Sequence, residues 1–261
     1  MSKYERLNKL LELLSADGHV SVDDAAGKLA VSAATVRRDL DALAAQQLLT
    51  RTHGGAVSNS TAYDLPLRYK SVRRVEQKLR IARAAAELVP LGAVVGLNGG
   101  TTSTEVARAL ATRADLHGGE AGTSITVVTN ALNIANELAV RRHVKIVVLG
   151  GVPRAQSYEL IGPLSIPVLS QLRLDVAVLG VDAFDLVHGA SSHSEAEAEV
   201  NARIARQARR IVVVADSSKL GESTFAQIVR LDEVHVLITD TEADPGLVAR
   251  VVAAGVEVLQ V

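Results

Sequence analysis

Cysteine and tryptophan are absent from this chain, and aromatic residues make up only 2% of it. Without cysteine there is no disulfide framework, no thiol nucleophile and no cysteine-ligated metal, a composition suited to a reducing cytoplasm. Without aromatics the core has to be assembled from Val, Leu, Ile and Ala. Apolar residues reach 48% of the 261 positions, enough for one or two domains with cores of their own. Runs of membrane-spanning length are missing, and the opening MSKYERLNKL lacks the apolar stretch of a signal peptide. A cytoplasmic protein that makes no membrane contact is therefore expected. One-sided charge is lacking too. The net charge is −1, so a polyanion would have to be met by a local concentration of cations. One such concentration exists: residues 68–80 carry Arg68, Lys70, Arg73, Arg74, Lys78 and Arg80 against only Glu76.

What is present begins with three helical patterns. Leu7, Leu10, Leu11 and Leu14 recur at the spacing of one helix face. Asp17, Gly18 and His19 read as a stop and turn. Ser21 then starts a shorter helix carrying Ala25, Ala26 and Leu29, with Asp24 three residues on as a variant capping box. Ser32 caps a third helix, in which Val36, Leu40 and Leu43 point inward while Thr35, Arg37, Arg38 and Asp41 fall on other faces. Three short helices with a tight turn before the last make a helix-turn-helix. Small residues followed by paired arginines suit a helix entering the major groove, where arginine meets guanine edges or phosphates. LLTRTHGGAV then reads as two short strands around a Gly-Gly turn, a wing with Arg51 and His53 near its tip.

From about residue 75 the pattern changes. A helix is expected over residues 76–88, with Leu79, Ala82, Arg83 and Ala86 facing the core. After it, VVGL, ITVVTN, VKIVVLGG, LDVAVLGVD, RIVVVADSSK, VHVLITD and VEVLQV alternate with helical stretches. Near-continuous apolar strands between helices imply a largely parallel sheet covered on both faces. In such sheets ligands bind beyond the strands' carboxyl ends. Those ends carry Asn98-Gly99-Gly100-Thr101-Thr102, Thr129-Asn130, Gly180-Val181-Asp182 and Asp216-Ser217-Ser218-Lys219. Gly99 and Gly100 allow a close backbone approach to an anion. Thr101, Thr102, Ser103 and Thr104 add hydroxyls at a helix N-terminus, and Lys219 supplies charge. Asn130, Asp182 and Asp216 suit sugar hydroxyls. The loop is neither a dinucleotide fingerprint nor a phosphate loop of the Gly-Lys-Ser/Thr type, which argues against a nicotinamide enzyme or an ATPase.

The chain resembles the DeoR-type bacterial transcription regulators. The resemblance rests on S-x-x-T-V-R-R-D-L at residues 32–40 and R-T-H-G-G-A at residues 51–56. It continues through LNGGTTSTEVA, VVTNALNIANEL, VVLGG, IGP, VAVLGVDA, EAEV and ADSSKLG. It implies an α/β fold in which a winged helix-turn-helix precedes a sensor similar to ribose-5-phosphate isomerase and glucosamine-6-phosphate deaminase. Three segments follow: a DNA-binding domain at residues 1–57, a basic linker at 58–75 and an effector-binding domain at 76–261. The resemblance further implies operator DNA contacts from Ser32, Thr35, Arg37, Arg38, Arg51 and His53. Asp39 is better suited to holding an arginine than to meeting phosphate. A phosphorylated sugar or related metabolite is the implied effector, with phosphate near Gly99, Gly100, Thr101, Thr102 and Ser103, and sugar near Asn130, Asp182, Glu197 and Lys219. Asn98, counted with this set, stands where the family commonly has aspartate. Glu197 is preferred to Glu195 on its spacing to Val200 and Asn201. Residues 118–122 read as a loop.

Two functions compete. One is an effector-controlled DNA-binding regulator, most often a repressor in this family, acting as a homo-oligomer, dimer or tetramer, on paired half-sites. It would be cytoplasmic, and nucleoid-associated when bound to DNA. The other is a sugar-phosphate isomerase or deaminase with an added helical domain, using Asp182, Glu197, Asp216 or Lys219 for proton transfer. An enzyme has no need of a recognition helix and a wing, so the regulator is expected, with no catalytic residue and no cofactor. The seven histidines make no metal pattern; His188 and His193, the closest pair, read as loop residues.

Overall fold

The first three helices begin where a hydroxyl side chain precedes an apolar stripe. The structure, a computed structural model, describes residues 1–46, 48–57, 67–71, 73–116 and 124–261. Ser2 caps α1 (Lys3–Asp17), Ser21 caps α2 (Val22–Leu29) and Ser32 caps α3 (Ala33–Ala45). Each serine Oγ accepts from the backbone N–H three residues on, satisfying a donor that a helix start leaves free. Leu7, Leu10, Leu11 and Leu14 pack with Ala25 and Leu29 and with Val36, Leu40 and Leu43 in one core. Full burial of each larger side chain contributes about 1.5–3 kcal/mol.

A strand that the sequence pattern did not reveal, β1 (His19–Ser21), joins the wing strands β2 (Thr50–Thr52) and β3 (Gly55–Val57) in an antiparallel sheet of order β1-β3-β2. So short a strand is too brief for an alternating pattern to register. A Cβ at Gly55 would fall 1.9 Å from the carbonyl oxygen of Val20, so only glycine fits where β3 crosses β1. A further turn, α4 (Leu67–Lys70), belongs to the same unit. Its Tyr69 stacks on Tyr4 with ring centroids 6.0 Å apart and donates to Gln46 Oε1 at 2.8 Å.

The chain divides into two compact units, Met1–Val72 and Arg73–Val261. Residues 58–66 and 72 of the expected linker, and the expected loop at 118–122, lie outside the described residues. Of the basic stretch, Lys70 falls in the first unit and Arg73, Arg74, Lys78 and Arg80 in the second.

The second unit opens with α5 (Val75–Glu87). Its buried stripe is Lys78, Ile81, Ala82, Ala85 and Ala86, while Leu79 and Arg83 are exposed, so the expected face was set one position off. The phase hid because alanines crowd the helix and a lysine occupies the core-facing row. There follow β4 (Val94–Leu97), α6 (Thr101–Thr112), β5 (Ile125–Thr129), α7 (Leu132–Leu138) and β6 (Val144–Val148). A hairpin, β7 (Val152–Pro153) and β8 (Leu160–Ile161), precedes α8 (Ile166–Leu169) and β9 (Leu174–Gly180). Then come β10 (Ala183–Asp185), β11 (Gly189–Ser192), α9 (Glu195–Gln207), β12 (Ala208–Val214) and β13 (Ala226–Val229). The unit closes with β14 (Val236–Thr239), α10 (Pro245–Ala253) and β15 (Glu257–Gln260).

Seven of these strands form one sheet, order β15-β14-β12-β9-β4-β5-β6, with every neighbouring pair parallel. The seven apolar runs of the sequence supply those seven strands. One face carries a core that includes Ile81, Leu110 and Ile134, and the other a core that includes Leu169, Ile204 and Val251. The strand order reverses between β4 and β9. That reversal opens a crevice at the strands' carboxyl ends, where this class of sheet holds its ligands. β10, β11 and β13 form a small antiparallel sheet of their own.

Candidate functional site

In the first unit, the recognition surface follows from the phase of α3. With Val36, Leu40 and Leu43 buried, Arg37 and Arg38 are left exposed. Ser32 Oγ meets Thr35 Oγ1 at 2.9 Å and accepts from the Thr35 N–H at 3.2 Å, so both hydroxyls are held at the helix start. Arg38 Nε donates back to the Ala34 carbonyl at 3.3 Å. The buried Asp39 pairs with Arg6 of α1; one of its contacts is Arg6 Nη2 to Oδ1 at 3.2 Å. This pair joins α1 to α3 and fixes the angle at which α3 is presented. His53 is exposed at the turn of the wing. Arg51 lies in the middle of β2, away from the tip: its Nε donates to Asp41 Oδ1 at 2.8 Å and its Nη1 to the Gly55 carbonyl. The wing is thereby clipped to α3.

In the second unit, the ends of β4 and β9 are tied by one side chain. Asn98 Oδ1 accepts from the Gly180 N–H at 2.8 Å and from Ser103 Oγ at 3.1 Å, and Nδ2 donates to the Gly180 carbonyl at 2.8 Å. Asparagine suits this position because it donates and accepts at once. An aspartate would present two acceptors to the Gly180 carbonyl. Asn98 and Ser103 are buried, so in this arrangement both shape the loop from behind. Gly100, at φ 118°, starts α6 with no side-chain cap. The amides of Thr101, Thr102 and Ser103 are left without an intrahelical acceptor, which makes the helix start electropositive.

A buried polar cluster lies against this loop. Asn130 Nδ2 donates to Glu159 Oε2 at 3.1 Å, and Asn201 Nδ2 approaches the same oxygen at 3.4 Å. The Gly99 amide faces Glu159 and favours its charged form. Its Cγ and Oε1 lie only 2.5 Å from where a Cβ on Gly99 would stand, which is why the loop needs glycine there. Burial, reinforced by the negative charge of Glu197, pushes the Glu159 carboxyl up to about 8. Glu197 pairs with Arg154 at 3.0 Å, and Ser192 Oγ links Glu197 Oε2 to Asp182 Oδ2 at 3.3 and 3.1 Å. Asn130 Oδ1 is buried with no hydrogen-bond partner among the described residues, so it retains an acceptor that a ligand could use.

A cationic cluster stands at the ends of β12 and β14. Asp216 caps the short turn carrying Lys219 by accepting from the Ser218 amide at 3.1 Å, and Arg74 Nε lies 3.7 Å from Asp216 Oδ1. Arg74 Nη1 also donates to Ser217 Oγ at 2.8 Å and to Glu242 Oε2 at 3.0 Å. Lys78 is 5% exposed and donates to the Arg73 carbonyl at 2.6 Å. Burial lowers its pKa to about 8, against an opposing pull from Asp216, while Lys219 and Arg73 lower it further.

The structure thus gathers Asn98, Gly99, Gly100, Thr101, Thr102, Ser103, Asn130, Asp182 and Glu197 around the switch point, with Lys219 among cations at the neighbouring strand end. Glu159, Asn201, Arg154 and Lys78 were not anticipated as site residues. Lys78 had been visible only as one charge of the basic run. The other three carried no motif of their own.

Comparison with known proteins bears on both units. The DeoR C terminal sensor domain model matches residues 73–241, and the DeoR-like helix-turn-helix domain model matches residues 6–62. The chain belongs to the DeoR family. It is 34% identical over 260 residues to a putative aga operon transcriptional repressor of Escherichia coli O157:H7, covering 98% of this chain and 93% of that protein. It is 32% identical over 240 residues to the glycerol-3-phosphate regulon repressor of Escherichia coli K12, covering 92% of each. A solved ribose 5-phosphate isomerase A from Methanocaldococcus jannaschii aligns more loosely, with TM-score 0.41, 20% identity, 56% of this chain and 54% of that one. The DeoR family is one of transcription regulators and not of enzymes, so this DeoR-family chain is a DNA-binding regulator with a sugar-phosphate sensor. No helix among the described residues is long and apolar enough to cross a membrane.

Proposed function

We propose that this DeoR-family regulator is a repressor of carbohydrate-metabolism genes that binds paired operator half-sites as a homo-oligomer in the cytoplasm, joining the nucleoid when bound. Ser32, Thr35, Arg37 and Arg38 enter the major groove, with His53 at the wing reaching the backbone and Arg51 holding the wing to α3. The effector is a phosphorylated sugar or related small metabolite. Its phosphate sits on the amides and hydroxyls from Gly99 through Ser103, with Lys78 and Lys219 as counter-charges. Its hydroxyls meet Asn130, Asp182 and Glu197, while Asn98 and Ser103 hold the loop.

The observation that carries this is the uncapped start of α6 at the switch point, where a helix N-terminus favours an anion. Residues 58–75 connect reader and sensor, and effector binding shifts the operator-competent population through its differential affinity for the two states. The test is fluorescence anisotropy of the upstream region of the protein's own gene at fixed salt, with a panel of phosphosugars that includes glycerol 3-phosphate. Specific binding altered by one compound, recovered intact, is expected. Operator binding indifferent to every compound would sink the sensor assignment, and consumption of the compound would favour an enzyme.

A further inference from the structure

The donors of the loop after β4 are not all open to a ligand. The Gly99 amide faces the Glu159 carboxylate, and the Cγ and Oε1 of that residue lie against Gly99. Glu159 is 3% exposed, and no ion pair among the described residues includes it, whereas its neighbour Glu197 has Arg154. The backbone that delivers it is pinned on both sides. Its carbonyl accepts from the Arg154 N–H at 2.8 Å, the Leu160 N–H donates to the Asn130 carbonyl at 2.7 Å, and the Tyr158 carbonyl accepts from the Leu132 N–H at 3.0 Å. Tyr158 holds a left-handed φ of 61°, which sets the direction of the following side chain. The carboxylate therefore cannot withdraw with its segment. A second anion arriving at this loop meets a like charge that stays where it is.

We propose that Glu159 is a resident carboxyl of the loop, and that the sensor takes up an effector phosphate only while this carboxyl holds a proton, so that binding where it is ionised takes up one proton. The proposal rests on the reading of the loop as the anion site. The proton comes from solvent, and no bond to the effector forms or breaks. Neutral Glu159 keeps a hydrogen bond with Asn130 or Asn201 and no longer repels the phosphate. The groups facing it are Glu197 from α9, whose charge disfavours a second ionised carboxylate, and Arg154 from the hairpin, which partly offsets Glu197. Beyond them, Asp182 follows β9, and His193 donates its amide to Asp182 Oδ2 at 3.2 Å. With its pKa raised to about 8, Glu159 already holds the proton near neutrality and has to acquire it at higher pH. Occupancy by effector then becomes sensitive to pH as well as to concentration.

Inorganic sulfate is the probe, because it stays dianionic from about pH 6 to 9 and its own titration cannot interfere. Calorimetric titration of the full-length protein in buffers of different ionisation heat should show close to one proton taken up per sulfate at about pH 9 and close to none at about pH 6.5. Sulfate affinity should be flat below about pH 8 and fall up to ~tenfold per pH unit above it, the limit for one linked proton. Glu159→Gln should abolish the uptake, flatten the profile and bind about tenfold tighter than wild type at about pH 9. Lys78 titrates in the same window. A profile that persists in Glu159→Gln would assign the proton to Lys78 and overturn the proposal. Sulfate binding indifferent to pH and to the substitution would overturn it too while leaving the anion site standing. No sulfate binding by either protein would overturn the anion site itself, and the proposal with it. The wild-type proton count stands even if the variant folds poorly.

Discussion

The two units place their polar chemistry oppositely. In the reader, Arg37, Arg38 and His53 are exposed, and beneath them Asp39 and Arg6 form a sheltered ion pair. In the sensor, Asn98, Asn130, Glu159, Asn201, Asp216 and Asp240 are all buried and joined to backbone or to one another. The difference follows from the size of what each meets. A DNA duplex is met across an open face, and its phosphates act at a distance through solvent. A metabolite has to be surrounded, so its partners are desolvated in advance and held by other polar groups. Substitution in the reader should therefore cost function without stability, and substitution in the sensor should cost or change both.

The largest expected effect comes from Arg37→Ala and Arg38→Ala. Each should weaken operator binding about 5- to 150-fold where it bonds a base edge, with no change in the melting curve. Anisotropy at fixed salt beside circular dichroism melting reads both, and a large loss of stability would break the comparison. Next is Asp39→Ala, the exception inside the reader. Leaving Arg6 sheltered and unpaired should destabilise the first unit by about 2–4 kcal/mol, read as an earlier denaturant midpoint for that unit. A variant of unchanged stability would mean that the pair does not brace α3.

A smaller effect, of opposite sign, is expected from Glu159→Gln. Because the folded protein raises this carboxyl from 4.5 to about 8, folding takes up a proton across that window, and wild type loses stability as pH rises through it. The variant has no such loss. Its melting temperature should match wild type near pH 4.5 and exceed it by on the order of 5 °C above pH 8. Equal melting curves at every pH would show that Glu159 is ionised without penalty. The smallest stability effect belongs to Arg74→Ala. Its side chain is 34% exposed, and ion pairs at that exposure contribute about 0–1 kcal/mol, so melting should barely move. If the entry of the chain into the sensor transmits the effector signal, the same variant should still bind operator but respond less to effector.

Legibility in the sequence divides along the same line. The reader could be read because its signals are local: serine caps, leucines at helical spacing, and a Gly-Gly turn at the wing. The seven sheet strands were equally plain, each a run of β-branched and aliphatic residues. Half of the sensor's polar cluster was also visible, since Asn98 through Ser103, Asn130 and Asp182 sit where strands end. Glu159 was not, because it lies in a hairpin of two-residue strands where no period operates. Only tertiary packing carries it under the loop after β4. Lys78 escaped for another reason. A lysine within a basic run reads as solvated, and the alanine-rich α5 gave too weak a phase to show that this one faces inward. Asn98 was noticed as a departure from aspartate, but its role needed the Gly180 peptide to be seen beside it.

The stacked rings of Tyr4 and Tyr69 have a mechanical consequence. The last described turn of the reader is riveted to α1 by a ring contact and to the end of α3 by a phenol hydrogen bond to Gln46. A pull entering at Ser71 reaches that rivet before it reaches the wing. The helices it loads are α1, whose Arg6 grips Asp39 of the recognition helix, and the recognition helix itself through Gln46. The tether thus has an anchor point, and slackening it means drawing Tyr69 out of the helical core as well as breaking its ring contact and its hydrogen bond.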